Sequence, residues 1–487
     1  MVSRFNAISG GTYFSTTGSN QLQFDSQVTN SGSSLSSRHI ESDGLVQLSG
    51  ITGVQGFGGT AASNTILTTG VTNVGATSIT AANTNVTTDD TGFSLQAITG
   101  GTATAVQTIN NLAASAIITD AVTVSIGGVV TTQVGAAGTN SLTYSSSAAH
   151  TVTSLNVTGD NALTLTSGAD TVFTSIVDGA TTDTLAKISI TGAGATTVSG
   201  ITDTALTSID ASAATGAIVL GGSSALLSQT GLTVAGGTVA NSIYVSGAND
   251  VITVAHAGAA GHLQTVTASG AGTSITLSHN ATTLTSGDQY YVITANGIGD
   301  TINTSSVTNY GSGISASTIS ATGANDTLTL GAGLTGAHVV ATLGQNATVT
   351  LGALGAGAGY VDLAVTAATA NADSAGTFLY TTIKGAVAAT NTLRLPTLTE
   401  VVVSTSAIDV AKATSLGNAL DLVATGSGLT AGQGYLSWFQ YGGNTYFLEN
   451  IAEATATTGI DANDIIVKLT GLVDIGTLSV NSHVVAL

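Results

Sequence analysis

Apolar residues alternate with Thr, Ser and Asn along most of this 487-residue chain, and the alternation breaks every few residues at Gly, Asn or Asp. A period of two predicts β-strands with one face buried, and the breaks predict the turns between them. One spacing occurs five times: an apolar residue, two positions skipped, an apolar, one skipped, then an apolar or Ala. The copies are Val152-Leu155-Val157, Leu185-Ile188-Ile190, Leu206-Ile209-Ala211, Leu263-Val266-Ala268 and Leu398-Val401-Val403. In four of them a short turn leads to a second alternating pair: Leu163 and Leu165, Ile218 and Leu220, Ile275 and Leu277, or Ile408 and Val410. The unit predicted is strand, corner, strand. Such a unit has one apolar stripe and must stack on its neighbours to bury it.

The fold class expected is therefore all-β and elongated, made of β-solenoid or serial β-sandwich segments, because alternation reports strands but not the direction of their neighbours. One short helix is expected between Ile408 and Asp421. The body spans 61–430. Residues 1–60 carry Arg4, Arg38, His39, Glu41 and bulkier side chains, and read as a cap or attachment region. Residues 431–487 hold five of the chain's 20 Phe and Tyr (Tyr435, Phe439, Tyr441, Tyr446, Phe447) and its one Trp, Trp438. That density predicts a separately packed β module, since rings supply the buried area a small unit needs.

Composition narrows the function. Only 4% of residues are aromatic and 7% charged, against 62 Gly, which suits thin β-layers better than an enzyme packed around large side chains. Disorder is excluded by the 43% apolar content. A net charge of −19 with seven Lys and Arg would repel a phosphate backbone, so nucleic acid is no partner. The acids are almost all Asp, Glu being confined to Glu41, Glu400, Glu449 and Glu453. Asp forms turns and ligates calcium on a short arm. No Cys is present, so neither disulfides nor thiol chemistry enter. No stretch of eighteen apolar residues occurs, and the first residues, MVSRFNAISGGTYF, lack the apolar run of a secretory leader, so neither membrane insertion nor a cleaved signal is expected.

Two segments carry a resemblance. WFQYGGNTYFLEN and the following DANDIIVKLTGLVDI (461–475) resemble the C-terminal region of bacterial surface proteins exported by type I secretion. GANDVITVA (247–255) and GANDTLTLGAG (323–333) resemble degenerate members of the repeats-in-toxin calcium motif, whose general form is G-G-x-G-x-D before an alternating strand. Together they resemble S-layer and surface-filament proteins of the RTX-like class. The resemblance implies Ca²⁺ as cofactor, with Asn249, Asp250, Asp300, Asn325, Asp326 and Asp170 as candidate ligands. The leading Gly pair is absent, Ala248 and Ala324 replace the next Gly, and the Asp intervals of 50 and 26 residues are not nine. Isolated ions are thus expected in place of a regular calcium ladder. Plain Gly-Asn-Asp turns are the alternative, because both side chains hydrogen-bond local backbone and tolerate left-handed dihedrals.

Other chemistry finds little support. The seven His show neither HxH nor HExxH spacing, and no GxSxG elbow or phosphate-binding GK[ST] occurs. Asp89-Asp90 reads as a solvated turn, and the Thr-x-Thr pairs 327/329 and 348/350 as ordinary strand residues. The expectation is a non-enzymatic, extracellular, cell-surface protein that assembles with copies of itself into a lattice or filament, with a cell-surface polysaccharide as a second partner. The competing expectation is an adhesin or phage-fibre-like protein that binds a receptor or glycan through the aromatic C-terminal patch.

Overall fold

A computed structural model describes the backbone of the strands between 14 and 148, and most of the chain from 149 onward; the longer stretches outside the description are 179–184, 257–261, 280–290, 308–316, 332–337, 353–359, 366–377, 386–391, 395–400, 426–433, 452–459 and 476–479. The 1–60 segment has strands but no described side chains, and Leu398 lies outside the described residues. The chain divides into two compact units, Met1–Val245 and Ser246–Leu487.

In the first unit, strands of successive coils pair in parallel. Asn140–Ser146, Asp160–Ser167, Lys187–Thr191, Ser208–Asp210 and Thr233–Ala235 form one wall. His150–Val152, Thr171–Phe173, Thr196–Val198, Ile218–Leu220 and Asn241–Val245 form a second. A third wall, Ser154–Thr158, Ile176–Asp178 and Ile201–Thr202, closes the coil. Like positions stack, as in Leu163↔Ile188↔Ile209↔Val234, and all four are buried. Parallel, in-register stacking is the arrangement of a β-solenoid. A sandwich would need antiparallel neighbours.

The recurrent spacing turns out to mark more than one wall. Leu155 and Val157 lie on the third wall, whereas Ile188 and Ile190 lie on the first. Val266 and Ala268 belong to the second unit. What repeats is the rule for a corner followed by an inward-facing strand, applied at each wall. This accounts for the uneven intervals in the sequence.

The second unit has two strands per coil. A front sheet stacks Val251–His256, Ser274–His279, Thr301–Thr304, Thr327–Leu330, Thr348–Thr350 and Thr381–Lys384. A back sheet stacks Gln264–Ala268, Tyr291–Ala295, Ser317–Ala321, His338–Leu343, Tyr360–Val365 and Thr392–Arg394. Ile252, Ile275, Ile302, Leu328, Val349 and Ile383 face inward from the front, and Val266, Ile293, Ile319, Ala341, Leu363 and Leu393 from the back. Each such side chain, fully buried, is worth roughly 1.5–3 kcal/mol for Val, Leu or Ile.

The front sheet then changes character. Thr381–Lys384 pairs in parallel with Ile465–Leu469, which pairs antiparallel with Asn444–Ile451, itself antiparallel with Gly434–Tyr441. Gly442 and Gly443 close that hairpin with φ of 56° and 78°, the two left-handed residues that a tight type I′ turn requires. A helix forms at Leu416–Thr425, later than the Ile408–Asp421 span expected, and is started by Ser415, whose Oγ accepts the Asn418 amide proton at 3.1 Å. Its Ala419, Leu420 and Val423 pack on Phe439, Tyr446, Leu448 and Ile466. Trp438 is only 5% exposed, so the aromatic segment packs inward.

Close stacking of the second unit depends on glycine. A Cβ on Gly270, Gly297, Gly323 or Gly344 would land on the carbonyl oxygen of the Gly one coil earlier. We expect Gly323→Ala to cost about 3 kcal/mol or more, since backbone must move to admit the methyl, whereas Gly222→Ala, with nothing within 4 Å, should stay within about 0.5 kcal/mol of wild type. Thermal and urea unfolding followed by circular dichroism checks both.

Candidate functional site

Those glycines open the corners that lead into the front-sheet strands, and the corners contain the residues singled out from the sequence. Five corners stack in register: Gly247-Ala248-Asn249-Asp250, Gly270-Ala271-Gly272-Thr273, Gly297-Ile298-Gly299-Asp300, Gly323-Ala324-Asn325-Asp326 and Gly344-Gln345-Asn346-Ala347. The third residue of each has positive φ, 60°, 73°, 75°, 65° and 53° in order, and the second does not. A type II turn requires this, and only Gly and Asn adopt it cheaply. The corners also hydrogen-bond to one another. The amides of Asn249, Gly272, Gly299 and Asn325 donate to the second-position carbonyls of the next coil at 2.8, 3.0, 2.8 and 2.8 Å, so the ladder runs through the bend.

Adjacent Asn and Asp point opposite ways. Asn249 and Asn325 are exposed, and Asn346 Nδ2 donates to Asn325 Oδ1 at 2.7 Å. Asp250, Asp300 and Asp326 are buried. Asp326 Oδ1 accepts the Asp300 amide proton at 2.9 Å, and Asp300 Oδ1 accepts that of Thr273 at 2.8 Å. Each of these carboxylates thus ties its own corner to the preceding coil. Where the column has Thr273, the hydroxyl donates to Gly270 O at 3.0 Å.

The tie has an electrostatic cost. Burial pushes the Asp326 carboxyl up to about 6; the amides of Asp300, Gly299 and Gly323 oppose the shift, and the Asp300 charge adds to it. Asp300 is raised for the same main reason, against the amides of Thr273, Gly297 and Gly272. The second oxygen of each, Oδ2, is enclosed and accepts no well-aligned hydrogen bond.

Of the six candidate ligands, Asp300 and Asp326 are brought together in adjacent coils. Asp250 stands two coils before Asp300 with Thr273 between them, and Asn249 and Asn325 face water. Asp170 is exposed at a corner of the first unit, where its Oδ1 accepts the Ala195 amide proton at 3.0 Å. Among the described residues no three His, Asp or Glu side chains gather to hold a metal. What the arrangement does chemically is bind backbone amides.

Several residues of the same kind escaped sequence reading. Thr273 and Ala347 occupy the Asp position of equivalent corners, and the signal available was the preceding Gly-x-[Gly/Asn]. Asp464 follows Ala462-Asn463 as Asp326 follows Ala324-Asn325, is fully buried, and leads into Ile465–Leu469. Its neighbour Glu449, 2% exposed, sits between Leu436 and Ile465 in the sheet. Burial, and then the nearby Asp464 charge, push the Glu449 carboxyl up to about 8. In the first unit Asp178 Oδ2 accepts the Leu185 amide proton at 3.0 Å and Asp203 Oδ1 that of Ala205 at 2.8 Å, so buried Asp serves its corners too.

No family model matches the chain, and none of the curated proteins matches it.

Two outcomes are expected. Asn325→Val should cost about 1–3 kcal/mol, because a β-branched residue is strained at φ 65°, while Asn325→Gly should cost far less. Asp326 favours its neutral form in the fold, so the stability it contributes is fully present below about 3.8, declines as pH rises towards about 6, and is level above that. Between pH 4 and pH 7 the wild type should therefore lose stability relative to Asp326→Asn, which keeps the Oδ1 acceptor without the charge. Urea titrations of both proteins at half-unit pH intervals measure the difference.

Proposed function

We propose that this chain is a structural protein of the bacterial cell surface, assembling with copies of itself into an S-layer lattice or surface filament. The observation that carries this reading is the use made of its polar side chains. Asp300 and Asp326, which the sequence offered as ligands, are spent inside the fold on holding one coil to the next. Repetition on this scale supports assembly by many weak, copied contacts, which multivalency makes strong without any single high-affinity site.

The RTX-like resemblance adds export by type I secretion and an extracellular location. No helix among the described residues is long and apolar enough to cross a membrane. Calcium enters as a bridge between copies. Asp170, Asn249 and Asn325 are the candidate ligands open to such an ion, whereas Asp300 and Asp326 are enclosed. A cell-surface polysaccharide is the second partner proposed, as the anchor of the lattice. Against the adhesin reading, Trp438, Phe439 and Phe447 are buried, while Tyr435 and Tyr441 of the same segment stay half-exposed.

Negative-stain microscopy of the purified chain with calcium and with EDTA tests both parts. Ordered sheets or filaments that disperse in EDTA and return with calcium are expected. Assemblies indifferent to EDTA would remove the bridging and leave the structural role; monomers under every condition would remove self-assembly.

A further inference from the structure

We infer that Glu449 and Asp464 form a proton-held latch on the C-terminal sheet: opening the strand Ile465–Leu469 away from the hairpin releases a proton, so the strand is held more weakly as the medium becomes alkaline. That strand is the only join, among the described pairings of the front sheet, between Thr381–Lys384 and the hairpin strands Asn444–Ile451 and Gly434–Tyr441. Asp464 lies at its start, fully buried, and Glu449 is opposite its first residue, Ile465. Two carboxyls are therefore enclosed where the chain enters the strand.

The surroundings offer a negative charge little relief. On the Glu449 face, the flanking strands present Leu436, Trp438, Ile465 and Val467, all buried and apolar in character. Glu449 Oε2 has no hydrogen-bond partner, and neither has Trp438 Nε1. These two side chains are diagonal neighbours on adjacent strands, within reach of each other if the sheet relaxes. Among the described residues the base on these strands, Lys468, belongs to the opposite face, where its Nζ lies 5.5 Å from the Tyr380 ring centroid; the helix Leu416–Thr425 with Asp421 and the rings of Tyr441 and Tyr446 pack on that face as well. Asp464 is the charged group that acts on Glu449. A buried carboxylate beside a second carboxyl, with no base on its face among the described residues and a bare oxygen, favours the protonated form.

The direction of the effect is fixed by the sign of the shift. Glu449 is raised from 4.5 to about 8, so the stability it contributes is fully present below 4.5, drains away as pH rises to about 8, and is level beyond. Within that window the ratio of opened to closed strand should rise by up to about tenfold per pH unit.

Trp438 is the chain's only Trp and adjoins Glu449 on the same face, so its fluorescence reports the latch in the intact protein. Denaturant unfolding of the full chain should be followed at this residue from pH 6.5 to pH 9, in wild type and in Glu449→Gln. The wild-type midpoint is expected to fall until about pH 8 and then level off, and the Glu449→Gln midpoint to vary far less. Equal slopes in the two proteins, or a flat wild type, overturn the proposal. Should Glu449→Gln fail to fold, infrared spectra of the wild type decide: a protonated-carboxyl band present at pH 7 and lost by pH 9 supports the latch, and its absence at pH 7 overturns it.

Discussion

Backbone-to-backbone contact between successive coils is the constraint on which the rest of this protein depends. Parallel strands stack at about 4.7–4.9 Å, and a coil can keep that spacing all the way round only if its corners stack as closely as its strands. In the second unit they do, because Gly270, Gly297, Gly323 and Gly344 leave no Cβ between one corner and the carbonyl beneath it. The amide ladder then continues through the bend. Side chains that fit this geometry follow from it: Asn or Gly where φ is positive, and a short acceptor inside to meet the amide of the preceding coil.

The same constraint explains why the core is built from middle-sized residues. Two walls facing each other across a coil leave room for Ile, Leu and Val from both sheets, with a column of Ala268, Ala295 and Ala321 stacked beside Val266, Ile293 and Ile319 in the back sheet. Large rings are few inside the coils, where Tyr144, Phe173 and Tyr291 are buried, and cluster in the C-terminal sheet. Phe439, Tyr446 and Phe447 fill the wider space between the C-terminal sheet, its helix and its interior, with Phe439 and Tyr446 stacked at 5.2 Å.

Much of the fold could be read from the chain, for identifiable reasons. Strand alternation marked inward residues correctly, Leu155, Ile188, Ile209 and Val266 among them, because burial of one face leaves a period-two record. The aromatic end module and the helix near Leu416 left records of similar kind. Parallel stacking did not, since alternation is silent about which strand lies alongside. Nor could the opposed directions of Asn325 and Asp326 be read, because they depend on the turn type and on register with the next coil. The RTX-like wording of GANDTLTLG and the corner it forms share their chemistry: a carboxylate at a tight turn can accept amides as readily as it can hold a cation. Glu449 left no local signal at all; a lone Glu in an alternating stretch reads as solvent-facing until the second covering layer is known.

The preference for Asp over Glu follows from the corner as well. A carboxylate at the fourth position must reach an amide of the adjacent coil, one strand spacing away, from a Cβ that already points inward. Asp326 and Asp300 do so at 2.9 and 2.8 Å. An added methylene would carry the carboxylate past that amide towards the apolar interior, where Val349 and Leu328 are packed. Glu would exchange a charge-assisted hydrogen bond for an uncompensated buried charge, a trade that costs several kcal/mol. Where Glu does appear inside, at Glu449, it has no such amide, and its carboxyl is held in the neutral range to about pH 8. The acidic excess of this chain therefore includes two populations. Asp at corners is fixed by the geometry of stacking, whereas outward-facing carboxylates such as Asp170 and Asp210 bond to Ala195 and Ser212.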